Sequence, residues 1–325
     1  MRVLNQASGK NWTLYHGDCC EVLKGLPDNS IDFGIHSPPF SSLYIYSDSE
    51  ADMGNSRSDA EFFEHYSFAI REMLRVTTPG RLCAIHVKDL PKYANVWGMT
   101  GLVDFPGMCI QEFEQAGWTY HSRVTIWKCP VTERERTNNN GLLHKTVLRD
   151  SSQIRMGMAD FVLVFRKPPG DGTLMSAKPI ERETGFKRYI GTVPPDSMEH
   201  PSPFARKGGT RDASVSIWRR YAEPVWWDID QTDVLNYKLA RSESDERHIC
   251  PLQLGLIERC LELWSLPGDV VLSPFAGIGS EGVKSIEAGR KFVGIELKAE
   301  YFKIACENLQ AAEAKASEPE LFAEA

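Results

Sequence analysis

A Ser-Pro-Pro-Phe tetrad follows the apolar run "IDFGIH" and is the first stretch of this 325-residue sequence whose residue types suggest chemistry. Two prolines cannot continue a strand ladder, because each lacks an N–H group and fixes its own φ angle. A serine hydroxyl and a carbonyl stiffened by a proline pair are hydrogen-bond acceptors, and a phenylalanine offers a face for stacking. Pro-Pro recurs at 168 and 194 in plain loop sequence, so the tetrad gains its meaning from context.

A second stretch, "DVVLSPFAGIGSEG", predicts a turn that binds a nucleoside cofactor. Its glycines, Gly277 and Gly279, let the backbone turn tightly and approach a ligand that a Cβ atom would obstruct. Glu296 follows at the tip of the next predicted strand, where its carboxylate can accept both ribose hydroxyl hydrogens. The third glycine of a pyrophosphate-binding turn is absent, which weakens the case for a nicotinamide cofactor and leaves room for a cofactor that has a ribose but no phosphate.

Alternating strands and helices must position these two stretches. Hydrophobic periodicity predicts strands at 12–18, 30–37, 81–87, 118–128 and 160–167, and a helix near 107–116. A longer helix opens with the capping box Ser58-x-x-Glu61 and stops at Pro79-Gly80. Periodicity fails between 168 and 247, and α/β order returns beyond it. Short strands alternating with helices predict an α/β fold with a doubly wound, mostly parallel sheet.

The charge of the chain is unevenly distributed. The whole sequence carries 37 Lys and Arg against 44 Asp and Glu, whereas residues 121–220 carry 18 against 10. A basic segment inside an acidic protein is consistent with a face that binds a polyanion, and equally with a solvated insertion. The eight cysteines are scattered without a C-x-x-C pair, which disfavours a zinc site and favours a reducing cytoplasm. No signal peptide or membrane span is predicted.

The tetrad, the glycine turn and the stretch "GIELKAEYFKIACENL" together resemble the exocyclic-amino DNA methyltransferases. Their order is that of the permuted β group, in which the catalytic tetrad precedes the S-adenosylmethionine-binding turn. The resemblance covers about 12–40, 59–167 and 247–310. It implies a circularly permuted Rossmann-like methyltransferase fold with an irregular inserted target-recognition region. The implied parts are a catalytic half at 1–167, target recognition at 168–247, a cofactor-binding half at 248–313 and a tail at 314–325.

The resemblance also implies roles for individual residues. The catalytic tetrad would be Ser37, Pro38, Pro39 and Phe40. S-adenosylmethionine would be held by Asp18 near its adenine, His248 and Pro251 near its methionine, Glu296 at its ribose, and Ser273, Phe275, Gly277 and Gly279 at the turn. "DMGN", residues 52–55, fits the loop after the tetrad. The family usually has Asp where this chain has Ser273. Asp18 and His248 also fit simple helix-capping roles.

This chemistry would require DNA with a base turned out of the stack. The amino nitrogen of cytosine or adenine is a poor nucleophile, and acceptors for its hydrogens would draw it toward tetrahedral geometry. Flipping a base costs roughly a few kcal/mol, which contacts to phosphates can offset. The candidate phosphate contacts are Arg123, Lys128, Arg134, Arg136, Arg206, Lys207, Arg211, Arg219 and Arg220. The resemblance implies double-stranded DNA as the partner and no metal. It also implies a cytoplasmic protein, encoded by a bacterium or a virus.

The sequence leaves the target base and the function class open. Serine at the first tetrad position resembles N4-cytosine enzymes, whereas aspartate more often accompanies N6-adenine. A cognate restriction endonuclease is left open as a partner. An NAD-dependent oxidoreductase would share the glycine turn but would not explain the tetrad. A DNA-binding protein without catalytic activity is a further hypothesis, as is a methyltransferase for RNA or protein amines.

Overall fold

The computed structural model describes residues 3–40, 52–92, 98–137, 156–170, 218–236 and 251–317, with the side chains of 134–137 excepted. These residues form a nine-stranded sheet flanked by helices, and a separate two-stranded sheet. The strands are β1 (Asn5–Ser8), β2 (Trp12–His16), β3 (Ile31–His36), β4 (Thr77–Lys88), β5 (Leu90–Lys92), β6 (Gly101–Val103), β7 (Thr119–Ile126), β8 (Asp160–Arg166), β9 (Val225–Trp226), β10 (Val270–Ser273) and β11 (Lys291–Glu296).

The large sheet has the strand order β1-β2-β11-β10-β3-β4-β8-β7-β9. Its centre, from β2 to β4, is entirely parallel, and β8 runs antiparallel to both of its neighbours. The chain leaves β10 toward β11 on one side and leaves β3 toward β4 on the other. The order therefore reverses between β10 and β3, and ligands of open α/β sheets bind at the carboxyl ends of the strands at such a switch point.

Helices pack against apolar residues on both faces of the sheet. The helices are α1 (Cys19–Leu23), α2 (Asp59–Val76), α3 (Phe105–Gln115), α4 (Pro130–Thr137), α5 (Leu254–Trp264), α6 (Ser280–Glu287) and α7 (Ala299–Ser317). One core lies between the sheet and helices α5, α6 and α7, and the other includes α1, α2 and α3. Strands buried on both faces are typical of parallel sheets covered on both sides, so the doubly wound arrangement predicted from the sequence is observed.

Several local features differ from the sequence predictions. Helix α2 ends at Val76, and Pro79-Gly80 lies inside β4 rather than stopping the helix. Gly80 adopts a φ of 82° and donates its N–H to the carbonyl of Lys167, which ties the start of β4 to the end of β8. Strand β1 and the β5–β6 pair were not predicted, because these strands are only three or four residues long.

Among the described helices, none has the length and apolar character that crossing a membrane requires.

A buried ion pair fastens residues 225–228 of the irregular region to helix α5. Arg259 of α5 donates to both carboxylate oxygens of Asp228 at 2.8 Å each, and its guanidinium lies 5.0 Å from the ring centroid of Trp226. Burial alone would raise the pKa of Asp228, but hydrogen bonding and charge from Arg259 and Arg220 lower it. Asp228 therefore stays ionised and holds residues 225–228 against α5.

Removing Arg259 tests this attachment. Arg259→Met leaves the buried carboxylate with Arg220 alone, and we expect a loss of about 3 kcal/mol in the free energy of unfolding. The matched control is Arg220→Met, which removes the more exposed partner and should cost about 1 kcal/mol or less. Chemical denaturation measures both values, and equal losses in the two variants would contradict the assigned roles.

Candidate active site and cofactor pocket

The tetrad and the glycine turn meet at the carboxyl ends of two neighbouring strands. Strand β10 pairs with β3 in parallel, with Val271 beside Phe33 and Leu272 beside Gly34. The residues after each strand therefore emerge at the same edge of the sheet. The ring of His36, the residue before the tetrad, and the ring of Phe275, in the glycine turn, have centroids 5.6 Å apart. Two motifs separated by more than 230 residues in sequence thus lie close together.

Hydrogen bonding orients Ser37 as an acceptor. Its Oγ donates to the backbone carbonyl of His86 in β4 at 3.0 Å. A hydroxyl has one hydrogen and two lone pairs, and with the hydrogen donated to His86 the lone pairs can accept from a ligand. Pro38 is buried, and Ser37, Pro39 and Phe40 are half-buried.

Phe40 is placed between an aromatic core and a cation. Its ring packs edge-on near Phe105 at 6.1 Å, and the Nζ of Lys88 lies 5.6 Å from its centroid. The following residues, 41–51, lie outside the described part of the chain. "DMGN", residues 52–55, forms a short 3-10 turn that Asp52 caps by accepting from the Gly54 N–H at 2.8 Å. The tetrad therefore has defined supports on β4 and α3.

The glycine turn and Glu296 form a second constellation beside the tetrad. Gly277 and Gly279 have φ values of 53° and 90°, in the left-handed region that favours glycine. The carboxylate of Glu296 accepts from the Gly277 N–H at 2.7 Å through Oε2 and from the Lys298 N–H at 2.8 Å through Oε1. Each oxygen keeps further lone-pair capacity for a hydroxyl of a ligand.

Unpaired hydroxyls and open space at this turn fit a polar ligand. The Oγ atoms of Ser273 and Ser280 are buried and have no hydrogen-bond partner among the described residues. Buried polar groups are normally satisfied, so unpaired ones point to a missing partner. A Cβ added at Gly277 would meet no described atom within 4 Å. The residues present therefore fit S-adenosylmethionine, whose amino acid and ribose supply the polar groups that such a turn lacks.

Burial gives this pocket two carboxyl groups with raised pKa values. Desolvation raises the pKa of Glu296 to about 7, although backbone N–H groups oppose the rise. Desolvation likewise raises the pKa of Glu281, in the first turn of α6, to about 8, and the charge of Glu296 adds to the increase. Ser280 and Glu281 were not predicted as site residues. The available signal was that two polar residues directly follow the glycine turn at the start of a helix.

His36, which precedes the tetrad, is a neutral residue of the core. It is completely buried, its Nε2 lies 2.9 Å from the hydroxyl of Tyr66, and desolvation lowers its pKa to about 3. The ring therefore carries no charge near neutral pH and supports Phe275 by packing. A general-base role for this histidine is disfavoured, because it takes up a proton only in strong acid.

Asp18 caps a helix, as one interpretation of the sequence expected. Its Oδ1 accepts from the Cys20 N–H at 2.9 Å at the start of α1. The preceding residue, Gly17, donates its N–H to the carbonyl of Glu296 at 3.0 Å, so Asp18 lies beside the end of β11. A contact with the adenine of a cofactor remains a prediction. His248 lies outside the described residues, and Pro251 is half-buried three residues before α5.

The residues around Asp18 also include a group of potential metal ligands. Ligand atoms of Asp18, Cys19 and Cys20 lie within 4.8 Å of one another. A side-chain hydrogen bond from the Cys19 thiol to Cys20, together with burial, raises the pKa of Cys19 well above its ordinary value. Metals bind the thiolate, so a metal at this position would have to displace the thiol proton of Cys19.

The described candidates for phosphate contacts differ in their surroundings. The side chain of Lys128 is only 4% exposed and its Nζ forms an ion pair with Asp160 at 2.7 Å, which disfavours a contact with a DNA backbone. Arg220 pairs with Asp228, Arg219 is half-buried, and Arg123 is exposed with its guanidinium 5.2 Å from the Phe161 ring centroid. The side chains of the remaining candidates are outside the described part: Arg134, Arg136, Arg206, Lys207 and Arg211.

The raised pKa of Glu281 predicts a pH-dependent gain in stability from its amide variant. The folded pKa of about 8 exceeds the ordinary 4.5, so the protonated carboxyl costs nothing below about 4.5, and its destabilising effect grows as the pH rises from there to about 8. We expect Glu281→Gln to unfold like wild type at about pH 4 and to be at least about 1 kcal/mol more stable at about pH 9.

Thermal unfolding across this pH range measures the difference. Glu258→Gln is the matched control, because it changes an exposed carboxylate on the neighbouring helix α5. A constant difference between Glu281→Gln and wild type at all pH values would contradict the buried, protonated carboxyl.

Comparison with known proteins identifies relatives that match most of the chain. The family model N6_N4_Mtase, described as DNA methylase, matches residues 31–307. The DNA adenine methyltransferase YhdJ of Escherichia coli is 32% identical over 303 residues, which cover 92% of this chain and 83% of YhdJ. Type II methyltransferase M.BamHI of Bacillus amyloliquefaciens is 25% identical over 287 residues, and the match spans only 54% of its length.

Two solved structures share the fold. The Thermus thermophilus protein TTHA0409, solved with S-adenosyl-L-methionine, aligns with a TM-score of 0.61 at 19% identity over 93% of this chain and 96% of its own. The cytosine-N4-specific PvuII DNA methyltransferase aligns with a TM-score of 0.58 at 15% identity over 97% and 96%. These likenesses confirm the predicted Rossmann-like methyltransferase fold. The matched family model and the long alignment with YhdJ together show that this chain belongs to the DNA methylase family of N6- and N4-specific enzymes.

Proposed function

We propose that this protein transfers a methyl group from S-adenosylmethionine to the exocyclic amino group of a flipped base in double-stranded DNA, with N4 of cytosine as the favoured target. The observation that carries the proposal is the juxtaposition at the β3–β10 switch point. There an acceptor tetrad lies directly beside a glycine turn whose serine hydroxyls are buried and unpaired among the described residues. One constellation suits the amine, and the other suits the cofactor.

The chain supplies acceptors and orientation rather than a nucleophile. When bound, S-adenosylmethionine supplies a methyl group on a positively charged sulfonium. The Oγ of Ser37 has its hydrogen committed to His86, so it accepts from one N–H of the amine, and the carbonyl of Pro38 accepts from the other. Withdrawing the nitrogen lone pair from the ring in this way makes the nitrogen more nucleophilic. The methyl group would pass from the sulfonium to the nitrogen and leave a neutral thioether, and the cationic nitrogen would release one proton to water.

The pocket residues take roles that follow from their contacts. Glu296, already anchored by the N–H groups of Gly277 and Lys298, accepts from the ribose hydroxyls. Ser273 and Ser280 bond the amino-acid part of the cofactor, and Phe275 packs on His36 at the boundary of the two sites. Phe40 stacks on the extruded base, which needs a supporting face once it leaves the duplex.

DNA is the partner that the family implies. Most of the candidate phosphate contacts between residues 121 and 220 have side chains outside the described part of the chain. Arg123 is exposed on β7, and the basic region between 121 and 220 continues through residues that the structure does not describe. These cations would contact phosphates and offset the cost of base flipping. A restriction endonuclease that cuts the same sequence would give such a modification its use, and the related Type II enzymes support that role.

The target base separates two versions of this function. Serine at the first tetrad position favours cytosine, whereas the long alignment with the adenine methyltransferase YhdJ favours adenine. Both bases carry the same type of exocyclic amine. Incubating the protein with S-adenosylmethionine and unmethylated DNA, followed by nucleoside mass spectrometry, should yield N4-methylcytosine. Recovery of N6-methyladenine alone would assign the chain to the adenine enzymes.

Removal of the serine hydroxyl tests the catalytic role of the tetrad. Ser37→Ala should lower the rate constant for methyl transfer by about 10²–10³-fold, because one acceptor of the developing positive charge is lost. Cofactor affinity, measured by isothermal titration calorimetry, should not change. Ser8→Ala, on the exposed edge strand β1, is the control and should transfer methyl groups like wild type. An active Ser37→Ala enzyme would contradict the assignment.

A further inference from the structure

Three buried ionisable side chains lie directly behind the catalytic serine and belong to neither motif. They are His86 on β4, Lys128 after β7 and Asp160 at the start of β8, and each is less than 10% exposed. The Oδ2 of Asp160 lies 2.9 Å from Nε2 of His86 and 2.7 Å from Nζ of Lys128. The sequence alone suggested a DNA contact for one of them and no role for the other two.

This cluster is connected to Ser37 through a single residue. The backbone carbonyl of His86 accepts the hydroxyl hydrogen of Ser37, and the imidazole of the same residue contacts Asp160. Strand β4 is paired on one side with β3, where Ile85 lies beside His36, and on the other with β8, where Lys88 lies beside Asp160. The end of β4 therefore connects Asp160 to the tetrad through His86.

The geometry excludes a serine-histidine-aspartate catalytic triad, despite the residue types. In such a triad the imidazole accepts the serine proton, whereas here the carbonyl of His86 does. Ser37 is therefore not activated for attack. The contact instead fixes the direction of its lone pairs, which is what an acceptor for an amine requires.

Electrostatics keep the cluster in one arrangement. Burial would raise the pKa of Asp160, but the charges and hydrogen bonds of His86 and Lys128 lower it well below its ordinary value. An ionised carboxylate in the core needs both partners, because burying an unpaired charge is strongly unfavourable. The carboxylate consequently holds the His86 imidazole on one side and the Lys128 ammonium on the other.

We propose that Asp160, paired with Lys128, is a positioning residue for methyl transfer: by holding the His86 side chain it sets the carbonyl that orients the Ser37 hydroxyl. This inference rests on the proposed function, because it gives Ser37 the acceptor role argued above. Catalysis depends steeply on such orientation, and a displacement of about 1 Å can cost about 100-fold in rate.

The test compares Asp160→Asn with wild type and with Ser37→Ala in the full chain. Asp160→Asn keeps the size of the side chain but removes the charge, and we expect the rate constant for transfer to fall on the order of 10- to 100-fold. The affinity for S-adenosylmethionine, measured by calorimetry, should stay at the wild-type value. The double variant Ser37→Ala/Asp160→Asn should be no slower than Ser37→Ala, because Asp160 acts only through that hydroxyl.

A buried carboxylate elsewhere provides the matched control. Asp269 is completely buried, forms an ion pair with Arg81 and lies just before β10, at the amino end of the sheet and away from the site. Asp269→Asn should lower stability, yet its folded fraction should transfer methyl groups at the wild-type rate. A general loss of activity in both variants would show that Asp160 matters only for folding.

Lys128→Met separates the positioning role from contact with DNA. We expect the rate constant for transfer to fall in this variant. The Michaelis constant for DNA and the salt dependence of that constant should both stay at their wild-type values. A raised Michaelis constant with a shallower salt dependence would instead make Lys128 a phosphate contact and overturn the proposal. Wild-type rates in Asp160→Asn, or losses that multiply with that of Ser37→Ala, would also overturn it. Wild-type protein that binds the cofactor but methylates no DNA would refute the proposed function itself.

Discussion

Parallel pairing of β3 with β10 is the constraint on which the site depends. These strands are distant in sequence, yet they lie side by side, and both continue into the chain segments that carry the chemistry. Close packing of β3 on its other neighbour needs Gly34, where an added Cβ would lie 2.9 Å from the Sγ of Cys83. Because parallel strands end at the same edge of a sheet, the pairing places the tetrad and the glycine turn side by side at that edge. That shared edge is what puts an amine beside a methyl donor.

Burial determines the charge of the ionisable groups around that edge, and it does so in different directions. His36 loses its charge because nothing compensates for desolvation. Glu281 and Glu296 have raised pKa values for the same reason, although backbone N–H donors partly counteract the rise in the pKa of Glu296. Asp160 is equally buried but stays ionised, since two partners stand beside it. The environment decides whether a buried group is a neutral packing element, a proton-bearing carboxyl or a fixed anion.

Two distant parts of the chain contribute separately to this environment. The segment before residue 168 supplies the serine and the carbonyl behind it, through β3 and β4. The segment after residue 250 supplies the glycine turn and the carboxyl at the end of β11. Asp228 and Arg259 attach residues 225–228 of the irregular region to α5. These residues are therefore fastened to a helix that packs on the sheet that holds the site.

Sequence patterns by themselves determined the alternation of strands and helices, the tetrad, the glycine turn and the acidic residue after it. These features are local, since they depend on periodicity, on the backbone limits of proline and glycine, and on residues close in sequence. The start of β4 was misplaced, because Pro79-Gly80 is compatible with both a helix end and a strand start. Only the tertiary structure showed that Lys128 faces Asp160 rather than solvent, that Glu281 is buried, and that Ser37 donates to His86. Such facts depend on which distant segments pack together, and a side chain's charge and partners follow from that packing rather than from its neighbours in the chain.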